Sequence, residues 1–154
     1  MMNSSTYETF TAEEIIIMLE DLGYTAEVHE DDEHCCLLRS RSEGIAWQAD
    51  LVGQPPFHAG LRLKLPLLVS CNPLTWANDW NRTRFSQALA YTDADTGHFL
   101  RDEDGLAWVN VESLILFESG VTAAHVVASL NRWVEDVLYV HSIPEVTYFE
   151  ELPQ

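Results

Sequence analysis

Few residues in this sequence have types and spacings that could do chemistry. Cys71 stands immediately before Asn72 and Pro73, a pair that reads as a helix start, where the helix dipole could lower a thiol pKa toward that of a nucleophile. No local base completes it. Asp93, Asp95 and Gly97 faintly resemble a calcium loop, but that pattern needs glycine sixth and glutamate twelfth. Here glycine is fifth, counted from Asp93, and Asp104 holds the twelfth place. An ordinary Asp/Gly hairpin turn is expected instead, and the acidic runs Glu30 to Glu33 and Asp102 to Asp104 are expected to be solvated turns. His29, His34, His58, His98, His125 and His141 form no H-E-x-x-H pair and no Cys/His spacing of a zinc site. Cys35, Cys36 and Cys71 are an odd set, and adjacent cysteines are poorly placed to bridge each other, so small hydrophobes in a reducing compartment are expected. On a strand Cys35 and Cys36 point to opposite faces, so at most one of them enters a core. Glycine-rich phosphate loops are absent. The expectation is no catalytic residue, no metal and no cofactor. A small hydrolase or metal-dependent enzyme using Cys71 or the acidic turns is the competing reading.

Charge narrows the partners. The chain carries 25 acidic residues against 8 basic ones, a formal charge of −17, which repels phosphate backbones and anionic membranes. The only lysine is Lys64, and the arginines are scattered, so neither nucleic acid nor a membrane is expected as a partner. Met1 to Phe10 has no basic n-region and no apolar h-region, and no window approaches the roughly 18 apolar residues of a membrane span. A cytoplasmic protein is expected. At 154 residues with 47% hydrophobic content, one domain with one core is expected.

Periodicity supplies the elements. After an arm over 1–10, Thr11 and Glu14 form a capping box for a helix whose stripe is Ile15, Ile16, Met18, Leu19 and Leu22, stopped by Gly23. Tyr24 to His29, Cys35 to Ser40 and Ile45 to Val52 then read as an antiparallel meander, with Arg41 to Gly44 as its second turn. Pro55 and Pro56 make Gly53 to Ala59 a loop. Leu61 to Ser70 reads as a half-exposed fourth strand or a bent extended segment, with Pro66 marking an edge or a bulge. Phe85 to Thr92 and His98 to Arg101 read as a hairpin, and Leu106 to Phe117 as the most buried strand. Thr122 caps a last helix bearing Val126, Val127, Leu130, Trp133, Val134, Val137 and Leu138 on one face. The fold class is α+β, an antiparallel sheet with three helices in the order helix, strands, helix, strands, helix. Residues 11–141 form the single domain and 142–154 a tail.

The central helix organises this chain. Asn72 caps it, Pro73 suits its first position, and Trp76 and Trp80, four apart, share one face. Such indoles are more often core than partner contacts. In the other case one packs inward, while its mate, with Trp47, Trp108 or Trp133 nearby, joins a hydrophobic interface. Asn78 and Asn81 would then cap or bond across to the next strand.

The segment Ala77 to Gly97, followed by an apolar strand and by Glu118 to Thr122, resembles the YbjN family of bacterial proteins, with its N-x-W-N motif, R-F-x-x-A strand, acidic hairpin turn and G-G-V-T entry to the last helix. Asn78, Trp80, Asn81, Arg84, Phe85, Ala88, Gly120, Val121 and Thr122 carry the match over roughly Gly44 to Val140. Ser119 replaces the first glycine of the usual pair. The resemblance implies a fold like the type III secretion chaperones, a curved antiparallel sheet with helices that often pairs as a homodimer. Its members are described as regulators of sensory transduction without established enzymatic chemistry. Together with the residues, it points to a non-enzymatic protein-binding module, regulatory or chaperone-like, acting on a protein partner or client. Trp76, Asn78, Trp80, Asn81, Arg84 and Phe85 are the expected motif and interface residues.

Overall fold

The computed structural model describes residues 5–31, 36–118 and 120–153. The chain enters through β1 (Thr6–Tyr7) and buries Phe10 before Thr11 caps α1 (Ala12–Asp21). The Thr11 hydroxyl accepts the Glu14 N–H at 3.3 Å, and the Glu14 carboxylate accepts the Thr11 N–H at 3.0 Å. Ile15, Met18 and Leu19 turn inward as their spacing requires.

A meander of β2 (Ala26–Asp31), β3 (Cys36–Ser42), β4 (Ile45–Val52) and β5 (Gly60–Val69) follows. Of the expected acidic turn Glu30 to Glu33, Glu30 and Asp31 belong to β2. Its remainder lies outside the described residues with His34 and Cys35, as does Ser119. The next turn is tighter than Arg41 to Gly44, since Ser42 pairs with Ile45 and only Glu43 and Gly44 lie between. Their φ values are 45° and 85°, and positive φ at both centres matches the twist of the flanking strands.

Asn72 caps α2 (Pro73–Thr83) by accepting the N–H groups of Leu74 and Thr75 at 3.0 and 3.1 Å. Then come β6 (Gln87–Ala90), β7 (Ala107–Leu116), β8 (Val121–Thr122), α3 (Ala123–Tyr139), a 3-10 turn at Val140–Ser142 and β9 (Val146–Tyr148). The expected Phe85 to Arg101 hairpin shrinks to the four residues of β6 and the isolated bridges Thr92 to Phe99 and Arg101 to Ala107. Gly120, at φ 82°, holds the left-handed backbone that admits the chain to β8, beside Thr6.

The fold is α+β, with three helices and, among the described residues, only antiparallel pairs. The main sheet runs β2-β3-β4-β5-β7-β6, with β9 also on β5, while β1 and β8 form a separate pair. One core joins Ile15 and Leu19 of α1, the leucines of β5, Trp76 and Trp80 of α2, and Leu130 and Trp133 of α3. The most buried strand is β5 rather than β7, because β5 has neighbours on both sides along most of its length, whereas Leu114 and Leu116 stay 52% and 46% exposed. Pro66 does not mark an edge. It lies between the last β4 pair at Lys64 and the first β9 pair at Leu67, in a gap that asks for no donor. The last residues also join the fold: β9 pairs with Leu67 to Val69, Phe149 stacks on Trp108 with ring centroids 5.5 Å apart, and Leu152 is buried.

Candidate functional site

Where α2 hands the chain to β6, one short stretch sets several side chains at once. Asn81, on the last turn of α2, acts as a surrogate strand: its carboxamide oxygen accepts the Ala88 N–H at 2.6 Å, and its nitrogen donates to the Ala88 carbonyl at 3.1 Å. Helix and strand are thereby locked. Asn78 is exposed and makes no side-chain hydrogen bond among the described residues, so of the two asparagines only Asn81 bonds across to the next strand.

Trp76 and Trp80 stack at 5.3 Å and are 8% and 3% exposed, which places both indoles in the core. Removing an indole-sized surface from water is worth about 5 kcal/mol as an upper bound. Trp47 and Trp133 instead pair edge to face with each other at 5.9 Å. A cleft of about 600 Å³ runs along α2, with Cys71, Trp76, Trp80, Tyr139 and Ile143 on its walls. Cys71 thus opens on a cleft, but burial pushes its thiol pKa up. Its backbone hydrogen bond opposes that shift, while Glu145 and Asp79 reinforce it. The result is the reverse of the activation expected at a helix start, because burial first, and the two carboxylates after it, disfavour the thiolate.

Beneath α2 lies a buried polar chain. The Trp80 indole donates to the Ser86 hydroxyl at 3.1 Å, and that hydroxyl and the Ser86 N–H both donate to Oδ2 of Asp136, at 2.6 and 2.8 Å. Asp136, 1% exposed, has no hydrogen bond to Oδ1 among the described residues, where its nearest cation is Arg84 at 3.9 Å. Arg84 also lies over the Tyr139 ring at 4.0 Å, a cation–π contact that holds its guanidinium in place. Ser86 and Asp136 escaped sequence reasoning, although a signal existed. Asp136 stands three residues after Trp133 and four before Val140, on the apolar stripe of α3, where a carboxylate survives only with partners.

Phe85 faces the other way. It is 71% exposed, with Arg132 over its ring at 5.3 Å, and borders a cavity of about 270 Å³ between β7 and α3. Leu114 and Leu116 lie on the same cavity.

The acidic turns are occupied by their own backbone. Oδ1 of Asp93 accepts the N–H groups of Asp95 and Thr96, and Oδ1 of Asp102 accepts those of Asp104 and Leu106. Among the described residues no three His, Cys, Asp or Glu side chains converge as a metal site, and no helix is long and apolar enough to cross a membrane. The chain matches no protein-family model, no curated protein sequence and no solved structure.

Proposed function

We propose that this chain is a non-enzymatic protein-binding module of the YbjN kind, with a fold like the type III secretion chaperones, acting in the cytoplasm as a homodimer or on a protein client. A regulatory role in sensory transduction or a chaperone-like role both fit such a module. The observation that carries the reading is Phe85. A phenylalanine left 71% exposed just before Ser86, which Asp136 holds, and Ala88, which Asn81 holds, is a fixed aromatic anchor, and aromatics beside arginine are enriched at binding interfaces. The −17 charge disfavours nucleic acid and keeps such a surface from non-specific association.

The test compares the full chain with Phe85→Asp as baits in the native cell extract, quantified by mass spectrometry. A protein enriched by the first and reduced about tenfold with the second supports the reading, since a hot-spot aromatic is worth about 2 kcal/mol or more. Enrichment indifferent to Phe85→Asp overturns it. Light scattering at micromolar concentration decides the homodimer, and a strictly monomeric mass removes it.

A further inference from the structure

The two ladders flanking β7 have unequal lengths. β5 pairs with it over ten positions, from Gly60 with Leu116 to Val69 with Ala107, whereas β6 pairs over four, from Gln87 with Glu112 to Ala90 with Val109. The ladder stops where Ser86 is drawn off to Asp136 on α3. Beyond that point, from Ser113 to Leu116, no strand among the described residues lies on the β6 side of β7.

Strand alternation says which groups are left open there. Trp108 faces the β6 side, donating to the Leu100 carbonyl at 2.9 Å and accepting the Tyr91 N–H at 3.2 Å, while Phe117 faces the other side and donates to Ala59. With no bulge in the β5 ladder, the even-numbered residues Leu114 and Leu116 turn their N–H and C=O groups toward the open edge. Natural edges are blunted by lysine, proline, bulges or inward charges, and Ser-Leu-Ile-Leu has none of these. The cavity beside this edge is bordered by Phe85, His125, Ser129 and Arg132.

We propose that this edge is a strand-addition site for an extended segment of a partner protein, with apolar residues at alternate positions and carboxylates between them. The proposal rests on the protein-binding reading and gives the partner its chemistry. Four residues of β7 offer about 13 Å of template. A strand laid there sets one row of side chains beside Leu114 and Leu116 on the outer face, which an apolar row matches. The other row faces His125, Ser129 and Arg132 of α3. Arg132 has no carboxylate within 4.0 Å among the described residues. In a chain of charge −17, a cation left without an ionic partner beside this edge calls for carboxylates from outside on the row that faces α3.

The test uses the full ¹⁵N-labelled chain and a blocked heptapeptide of alternating valine and glutamate. The expected result is at least about tenfold slower hydrogen exchange at the Leu114 and Leu116 amides with peptide present, and about tenfold weaker binding by Arg132→Glu, or about 1.4 kcal/mol. N-methylating the peptide amides that face β7 abolishes the protection, while N-methylating the alternate set leaves it, a difference that needs no change in the protein. Unchanged exchange at both amides with about 1 mM peptide overturns the site and leaves the protein-binding reading to the Phe85→Asp comparison. A valine and lysine peptide that binds as tightly overturns the charge assignment. Doubled mass with both amides protected before peptide is added overturns it in favour of a second copy.

Discussion

Ser86 gives both its backbone N–H and its hydroxyl to a single carboxylate oxygen of Asp136, at 2.8 and 2.6 Å, across fifty positions of chain. This contact fixes the bend after α2, ends the β6 ladder and leaves Phe85 outside. Asp136→Ala strands the Ser86 donors and unpairs Arg84, and is expected to destabilise by about 2–4 kcal/mol. Asp136→Asn keeps an oxygen acceptor in nearly the same shape and is expected to lose about 1–2 kcal/mol. Urea unfolding measures both. A change under about 0.5 kcal/mol for Asp136→Ala contradicts the assignment.

The two asparagines of α2 are expected to part company. Asn81→Ala removes two hydrogen bonds to the Ala88 backbone and should lower stability by about 1–2 kcal/mol. Asn78→Ala, at an exposed position whose side chain bonds to none of the described residues, should stay within about 0.5 kcal/mol of the parent. Equal effects in thermal unfolding would refute the surrogate-strand role of Asn81.

What could be read from sequence was local. The capping box at Thr11, the cap at Asn72 and the strand Ile45–Val52 depend on residues within a few positions of one another, and the structure has them where the spacing put them. Pro66 misled because a proline in a strand signals a missing donor without saying whether water or a gap between two strands replaces it. The pairing of β1 with β8 and of β9 with β5 joins segments far apart in sequence, and two or three residues carry too little periodicity to announce a strand. At the candidate site Trp80 and Asn81 were legible from type and spacing, Arg84 and Phe85 entered only through the family resemblance, and Asp136 belongs to an element fifty positions away. The exposure of Leu114 and Leu116 could not be foreseen, because a continuous apolar run looks the same whether or not a strand covers its edge.

The thiol of Cys71 is expected to ionise late. Its pKa is raised in the folded state, so alkylation of the Cys71 peptide by iodoacetamide should show a midpoint above the ordinary 9.0, and above that of the same peptide in the urea-unfolded chain. The stabilising contribution of the protonated thiol is complete below the unfolded pKa and fades as pH rises through the folded one. Glu145→Gln removes one of the negative charges that raise it and should move the midpoint down. A folded midpoint below 9.0 would instead restore Cys71 as a candidate nucleophile.

The turn between β3 and β4 carries a correctable strain. Glu43 holds φ at 45°, a left-handed backbone that suits asparagine or glycine better than glutamate, and its side chain is exposed. The contact of its carbonyl with the His141 ring, at 3.0 Å, is made by the main chain and survives substitution. Glu43→Asn is therefore expected to stabilise by about 0.5–1 kcal/mol, raising Tm by about 1–4 °C for a chain of this size. Glu43→Gln removes the same charge without easing the backbone and should leave Tm nearly unchanged. If calorimetry shows the two variants gaining equally, relief of charge in an acidic chain, not turn geometry, accounts for the effect.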